Sequence, residues 1–164
     1  DVSEDLTALA TISMIVISAG SKAILDIPKT LEMMETLGVT VLGYGVDEFP
    51  AFYSRCSGYF GIHRVDVPDA VATIYKNNIS AGLLSSVLVA NPVPKENEIS
   101  TDEIESIIEA ACETAKALKV TGKELTPFLL KEVVDKTNGK SLHTNKALAL
   151  NNIKLGNKIA KELI

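Results

Sequence analysis

Between Ile12 and Asp26 the chain reads ISMIVISAGSKAILD, an apolar, β-branched run that stops at small residues and delivers one lysine, Lys22. A strand ending in Ser18-Ala19-Gly20-Ser21 puts the next side chain at the carboxyl edge of a sheet, where open α/β folds build their sites. Flanked by Ile24 and Leu25, an amine placed there can lose enough hydration to lower its pKa and act as a nucleophile. The same residues also fit a surface lysine whose stem lies on apolar neighbours while its ammonium stays in water.

The remaining polar groups carry weaker signals. Asp1, Ser3 and Asp5 cluster in D-V-S-E-D, and carboxylates at alternate positions can ligate a hard divalent cation or position a phosphate. An acidic helix start favoured by the helix dipole explains them equally well. Gly43-Tyr44-Gly45 lacks the spacing of a phosphate or dinucleotide loop, and neither G-x-S-x-G nor H-E-x-x-H occurs. His63 and His143 have no acid partner in a recognised pattern, and His143 reads as a surface residue near a helix start. Asn145 either hydrogen-bonds a ligand or faces water. Asn91-Pro92-Val93-Pro94, a rigid turn after a strand, suits a pocket wall.

These groups must be positioned by a strand–helix rhythm. A short helical turn follows Ser3, with Glu4 and Asp5 in its first turn. Strands are expected over Ile12–Ser18, Val39–Tyr44 and Ser86–Ala90. Helices are expected over Pro28–Leu37, stopped by Gly38, and over Pro68–Asn77, with Asp66 as a cap. Residues 54–65 read as irregular. After Pro94 the chain turns helical: one long amphipathic helix opens at Ser100, a second follows Thr126-Pro127 and ends before Asn138-Gly139, and a third is capped by Ser141 and runs nearly to Ile164. The predicted fold class is α/β, a mostly parallel sheet flanked by helices with a helical C-terminal region. Three strands make a small sheet for this much helix, as an incomplete part of a larger α/β/α domain would.

Composition bounds the function. The 164 residues suffice for a single core, and 46% hydrophobic content suits a packed domain. A net charge of −5 gives no footprint for nucleic acid. No apolar run approaches the ~18 residues of a membrane span, and no secretory leader pattern is present, so a cytoplasmic protein is expected. Cys56 and Cys112 are too few for a disulfide framework or zinc site and read as reduced, inert thiols.

Six blocks then share one resemblance: D-V-S-E-D-L at 1–6, S-A-G-S-K-A-I-L-D at 18–26, G-Y-G-V-D-E-F-P-A-F at 43–52, V-A-N-P-V-P at 89–94, T-G-K-E-L-T-P-F-L-L at 121–130 and S-L-H-T-N-K-A-L-A-L-N-N at 141–152. In order and spacing the chain resembles the pseudouridine-5′-phosphate glycosidase family, also called indigoidine synthase A-like. The resemblance implies reversible cleavage of the C-glycosidic bond of pseudouridine 5′-phosphate to uracil and ribose 5-phosphate, with a divalent metal, usually Mn2+. By the same resemblance Lys22 is the nucleophile that bonds to C1′ of the ring-opened ribose as an imine. Asp1 is the metal ligand, Ser3, Glu4 and Asp5 contact substrate, and Asn145 lies near the ribose and base. A carbon–carbon glycosidic bond offers no heteroatom leaving group, so an imine electron sink is suitable chemistry, unlike the carboxylate pair of ordinary glycosidases.

The family has about as much sequence again ahead of the aspartate matched by Asp1. Residues 1–164 are therefore expected to be the C-terminal half of one glycosidase-like domain, needing an N-terminal half that supplies the proton-handling glutamate and further strands. Members of the family are homotrimers, so a homotrimer is the expected assembly, with neither nucleic acid nor membrane as partner. Two other functions remain compatible with the residues: another imine-forming sugar-phosphate aldolase, and a non-catalytic assembly domain.

Overall fold

In the computed structural model, residues 3, 5–21 and 26–164 are described, and Asp1, Val2, Glu4 and Lys22–Leu25 lie outside the described residues. Among the described residues four parallel strands, β1 (Ile15–Ser18), β2 (Thr40–Tyr44), β3 (His63–Val65) and β4 (Val87–Ala90), lie in the order β1-β4-β2-β3. The register sets Ile15 and Thr40 on either side of Val87, and Ser18 and Gly43 on either side of Ala90. The carboxyl ends of β1, β4 and β2 are therefore level.

Alternation along the strands explains the two covered faces, because successive side chains leave a strand on opposite sides. Ile15, Ile17, Leu42, Val87 and Val89 pack against α3 (Pro68–Ser80) and α6 (Lys140–Leu163), through Val71, Leu155 and Ile159. Val16, Val41, Leu88 and Ala90 pack against α1 (Asp5–Thr11) and α2 (Ile27–Thr36), through Leu6 and Met34. β4 is buried along its whole length, as the near-continuous apolar run Val87–Ala90 requires of a central parallel strand. Val87 and Val89 have no exposed surface, and burying each contributes about 1.5–3 kcal/mol. The mixed α/β class and the helical C-terminal region expected from the sequence are both present.

Beyond the strand ends, α4 (Thr101–Ala117) and α5 (Leu125–Lys136) pack together through Ala111, Ala115 and Leu129. Ile104 and Val133 join them to Tyr53 and Ile99. Pro127 sits in the first turn of α5, where its missing N–H has no helical partner to lose.

Several local expectations are corrected. Residues 63–65 are not irregular but form β3, paired with Leu42–Tyr44 of β2. A three-residue strand, His-Arg-Val, is too short to show alternation and exists through its pairing. β1 begins at Ile15, not Ile12. α3 extends to Ser80, and Val67 precedes it without a side-chain cap. Asp66, the expected cap, instead pairs with Arg64 at 2.8 Å. α6 begins at Lys140 after Gly139 in the left-handed region (φ 79°). Ser141 is no cap but a buried residue whose hydroxyl accepts from Thr137 Oγ1 at 3.0 Å.

Candidate active site at the carboxyl edge of the sheet

The chain leaving β1 is held by a dense set of main-chain bonds. Ser18 Oγ donates to the Gly20 carbonyl at 3.0 Å and accepts from the Gly20 N–H at 3.2 Å, closing a small turn at the strand end. The Ser18 carbonyl accepts from Asn91 N–H at 2.8 Å, which ties this turn to the end of β4. Ala19 O accepts from Phe52 N–H at 3.0 Å, and Gly20 bridges Ala51 in antiparallel fashion. Gly20 has φ 101° and lies so close to Pro50 that a Cβ would stand 1.7 Å from the Pro50 oxygen. Only glycine meets both conditions. Ala19 and Gly20 are buried, and Ser21, the residue before Lys22, is half-buried.

Opposite this turn, the segment 48–57 is braced from two sides. Glu48 Oε1 accepts from the N–H groups of Ser57 and Gly58, both at 2.6 Å, and the Ser57 hydroxyl donates to the Phe49 carbonyl. Glu98 Oε1 accepts from Ser54 Oγ at 3.2 Å and from Arg55 N–H at 2.8 Å. Arg55 Nη1 donates to the Val93 carbonyl at 2.6 Å, so the brace reaches the loop that leaves β4. Within this braced segment Phe52 lies in the left-handed region at φ 64°. Among the described residues the other left-handed ones that are not glycine, Lys119 and Asn138, directly follow the C-caps of α4 and α5, where that conformation is common. For a bulky aromatic it costs about 1–2 kcal/mol. The Phe52 ring offsets this by packing on Ala19, Val93 and Leu148, and it meets the Tyr53 ring edge-on with centroids 4.9 Å apart.

A cavity of about 410 Å³ opens beside the turn. Ser3 and Asp5 line one part of it, Ser18, Gly20 and Ser21 another, and Phe49 and Phe52 supply apolar wall. Thus two residues expected to contact substrate, separated in sequence from the Lys22 segment by β1, share a cavity with the residues that lead into Lys22. Ser3 Oγ donates to Asp5 Oδ2 at 2.9 Å and accepts from Asp5 N–H at 3.3 Å, so the hydroxyl and the carboxylate are presented as a unit. Asp26 opens α2 beyond Leu25, accepting from Lys29 N–H at 3.1 Å and pairing with its ammonium at 2.8 Å. That hydrogen bond to Lys29 holds the Asp26 carboxyl below its usual pKa.

Asn145 is exposed and does not line this cavity. It sits one turn before Leu148 on α6, and Leu148 packs on Ala19 and Val93. Asn151 Nδ2 donates to the Pro92 carbonyl at 3.1 Å, and Asn91 Nδ2 donates to Asn152 Oδ1 at 2.9 Å, fixing α6 against the β4 exit. The Asn91–Pro94 turn is therefore largely buried beneath α6 instead of forming an open wall. Asp1, Glu4 and Lys22 lie outside the described residues. Among the described residues no three His, Cys, Asp or Glu side chains converge on a metal-sized point, so these residues alone do not form a metal cage.

Some contributors escaped the sequence reading. Glu98 and Arg55 sit in no motif, and their roles depend on partners about 40 residues away. Phe52 was visible only as part of F-P-A-F, since a left-handed aromatic has no sequence signature. Cys56 is exposed and Cys112 half-buried, both as free thiols. Burial, reinforced by the neighbouring Glu48 carboxylate, pushes the Cys56 thiol up from its ordinary pKa. Among the described residues no helix is long and apolar enough to cross a membrane.

Comparison with known proteins matches this arrangement over nearly the whole chain. A pseudouridine-5′-phosphate glycosidase of Mesorhizobium japonicum is 49% identical over 163 residues, covering 99% of this chain and 53% of that protein. The same-named protein of Petrotoga mobilis is also 49% identical, over 162 residues, again with 53% of its length covered. The crystal structure of an indigoidine synthase A-like protein from Thermotoga maritima superposes with a TM-score of 0.90 at 43% identity, covering 99% of this chain and 54% of that one. The prealnumycin C-glycosynthase AlnA, solved in complex with ribulose 5-phosphate, superposes with a TM-score of 0.92 at 25% identity over 98% of this chain and 53% of its own. The chain thus spans about half the length of the relatives it matches. The family profile of indigoidine synthase A-like proteins matches residues 1–162, and the chain belongs to that family.

Proposed function

We propose that this chain carries the imine-forming, sugar-phosphate-binding part of a pseudouridine-5′-phosphate glycosidase. The observation that carries the reading is the cavity shared by Ser3, Asp5 and the Ser18–Ser21 turn, which leads directly into Lys22. The names of the relatives supply the substrate, and AlnA's complex with ribulose 5-phosphate favours a five-carbon sugar phosphate as the shared chemical group.

In the proposed reaction the C1′–O4′ bond of the ribose breaks, O4′ takes up a proton, and the Lys22 amine loses a proton as it bonds to C1′ of the opened sugar. Its lone pair forms the C1′=N bond as the bond from C1′ to uracil breaks, and the released electron pair stays on the uracil carbon, which takes up a proton. Water then adds to C1′, the amine leaves, and ribose 5-phosphate is released as the aldehyde. The reverse sequence joins uracil to ribose 5-phosphate. Ser3 and Asp5, presented together, orient the phosphosugar by hydrogen bonds, with Glu4 contributing to the same stretch. Asn145, with both a donor and an acceptor on its amide, holds the ribose or base. The proton-handling group is assigned to the part of the relatives that this chain does not span.

Asp1 is the proposed ligand of a divalent ion, Mn2+ being the expected one. A hard cation held by one carboxylate keeps several waters. When bound, such an ion helps to organise the phosphosugar. The proposed setting is the cytoplasm and the proposed assembly a homotrimer. Exposed Leu142, Leu150 and Ile153 on α6 provide apolar surface for such contacts.

Intact-mass spectrometry after incubation with ribose 5-phosphate and borohydride tests the reading. A reduced sugar-phosphate adduct that maps to Lys22 and disappears in Lys22→Ala is expected. A folded full-length protein that gives no adduct overturns the lysine mechanism.

A further inference from the structure

The backbone at Phe52 is the conspicuous strain among the described residues, and it is bonded to the turn that follows β1. Glycine would occupy φ 64° freely, yet the position holds a large aromatic, with both of its ends engaged. Its N–H donates to the Ala19 carbonyl at 3.0 Å, and its ring lines the cavity together with Ser18, Gly20 and Ser21. The conformation is also held from outside: Ala51 N–H donates to Ser54 O at 3.0 Å across the turn, and Ser54 and Arg55 are held by Glu98. Ile99 N–H donates to the Tyr53 carbonyl at 3.0 Å, joining the same turn to the segment before α4. A strained residue persists only where its surroundings over-determine it, and such residues gather at sites that need pre-organisation.

We propose that Phe52 is a positioning residue for the imine-forming lysine, its N–H fixing the Ala19-Gly20 backbone and its ring closing the cavity wall against which the sugar phosphate is held. The inference rests on the glycosidase reading given above. It goes beyond that reading because it gives a part in the lysine chemistry to a residue with no reactive group. The N–H bond and the packing of the ring on Ala19 hold the turn that precedes Lys22 in the chain, and misplacement by an ångström costs about a hundredfold in rate.

Two variants of the full-length protein separate this role from ordinary packing. Phe52→Gly keeps the N–H and relieves the left-handed backbone, while Phe52→Leu keeps apolar volume with a different shape. The readout is borohydride trapping of ribose 5-phosphate, followed as a rate constant over a range of sugar concentrations and normalised to folded protein. The expected result is a fall of about tenfold or more in the limiting trapping rate for both variants, with the half-saturating sugar concentration changed by about twofold or less. A role in packing alone lowers the folded fraction and leaves the rate per folded molecule intact, and that outcome overturns the proposal. An unchanged rate in Phe52→Leu overturns it even if Phe52→Gly does not fold. Absence of an adduct in the unsubstituted protein removes the lysine mechanism, and this inference falls with it.

Discussion

Gly20 and Pro50 stand in a contact that admits no side chain: a Cβ on Gly20 would lie 1.7 Å from the Pro50 carbonyl oxygen. This single approach brings the loop between β2 and β3 onto the turn that leaves β1. It explains why the small residues of S-A-G-S precede Lys22, since the strand end must pass beneath another backbone.

Gly20→Ala is therefore expected to destabilise by about 3 kcal/mol or more, from the combined overlap and the φ of 101°. Chemical denaturation followed by circular dichroism measures it. A loss below about 1 kcal/mol would show that Pro50 withdraws easily and that the contact has little consequence.

Glu98→Ala is expected to cost about 1–3 kcal/mol, because buried Ser54 and the Arg55 N–H lose their common acceptor. Glu98→Gln retains an oxygen at that position and should cost less. Equal losses in the two variants would mean that the negative charge, not the pair of hydrogen bonds, is what the site uses.

Cys56 provides a pH-dependent measurement. Burial and the Glu48 carboxylate raise its thiol pKa, so less thiolate is present at neutral pH than for a free thiol. Alkylation mapped to Cys56 should be slow near pH 7 and should go on rising at pH values where an unperturbed thiol has levelled off. The sign is fixed by the direction of the shift: an earlier plateau than that of a free thiol would contradict it.

Asn145→Ala is expected to reduce uracil release from pseudouridine 5′-phosphate by about a hundredfold in the full-length protein, the scale of losing one oriented amide from a site. Trapping of ribose 5-phosphate on Lys22 should persist, since the amine is untouched. Unaltered uracil release would return Asn145 to the solvent-facing alternative that its exposure also permits.

The relatives are about twice as long as the stretch they share with this chain. The 164-residue chain alone is accordingly expected to release no uracil, as measured by chromatography of the free base, and uracil release by that chain would place all essential groups within it.

The sequence alone determined the fold class, for reasons that are local, while the candidate site residues came from the family resemblance. Val87–Ala90 is a continuous apolar run and so a central strand, Ser100 caps α4, and Gly38 ends α2, each readable from a few adjacent residues. The end of β1 at Ser18, just ahead of A-G-S-K, was legible in the same way. Tertiary structure alone decided the rest. β3 exists because β2 is available to pair with it, and Asp66 stands one residue ahead of the α3 N-cap, Val67, and pairs with Arg64. Ser3 and Asp5 meet the Ser18–Ser21 turn in one cavity because α1 folds back over the face of β1. Phe52 and Glu98 acquire their roles from partners that only chain folding brings near, with Glu98 reaching Ser54 across 44 residues. Hydrophobic periodicity and capping act within a few residues along the chain and are legible in sequence. Cavity walls, close backbone approaches and paired carboxylate acceptors arise between distant segments, and no local pattern encodes which segments will meet.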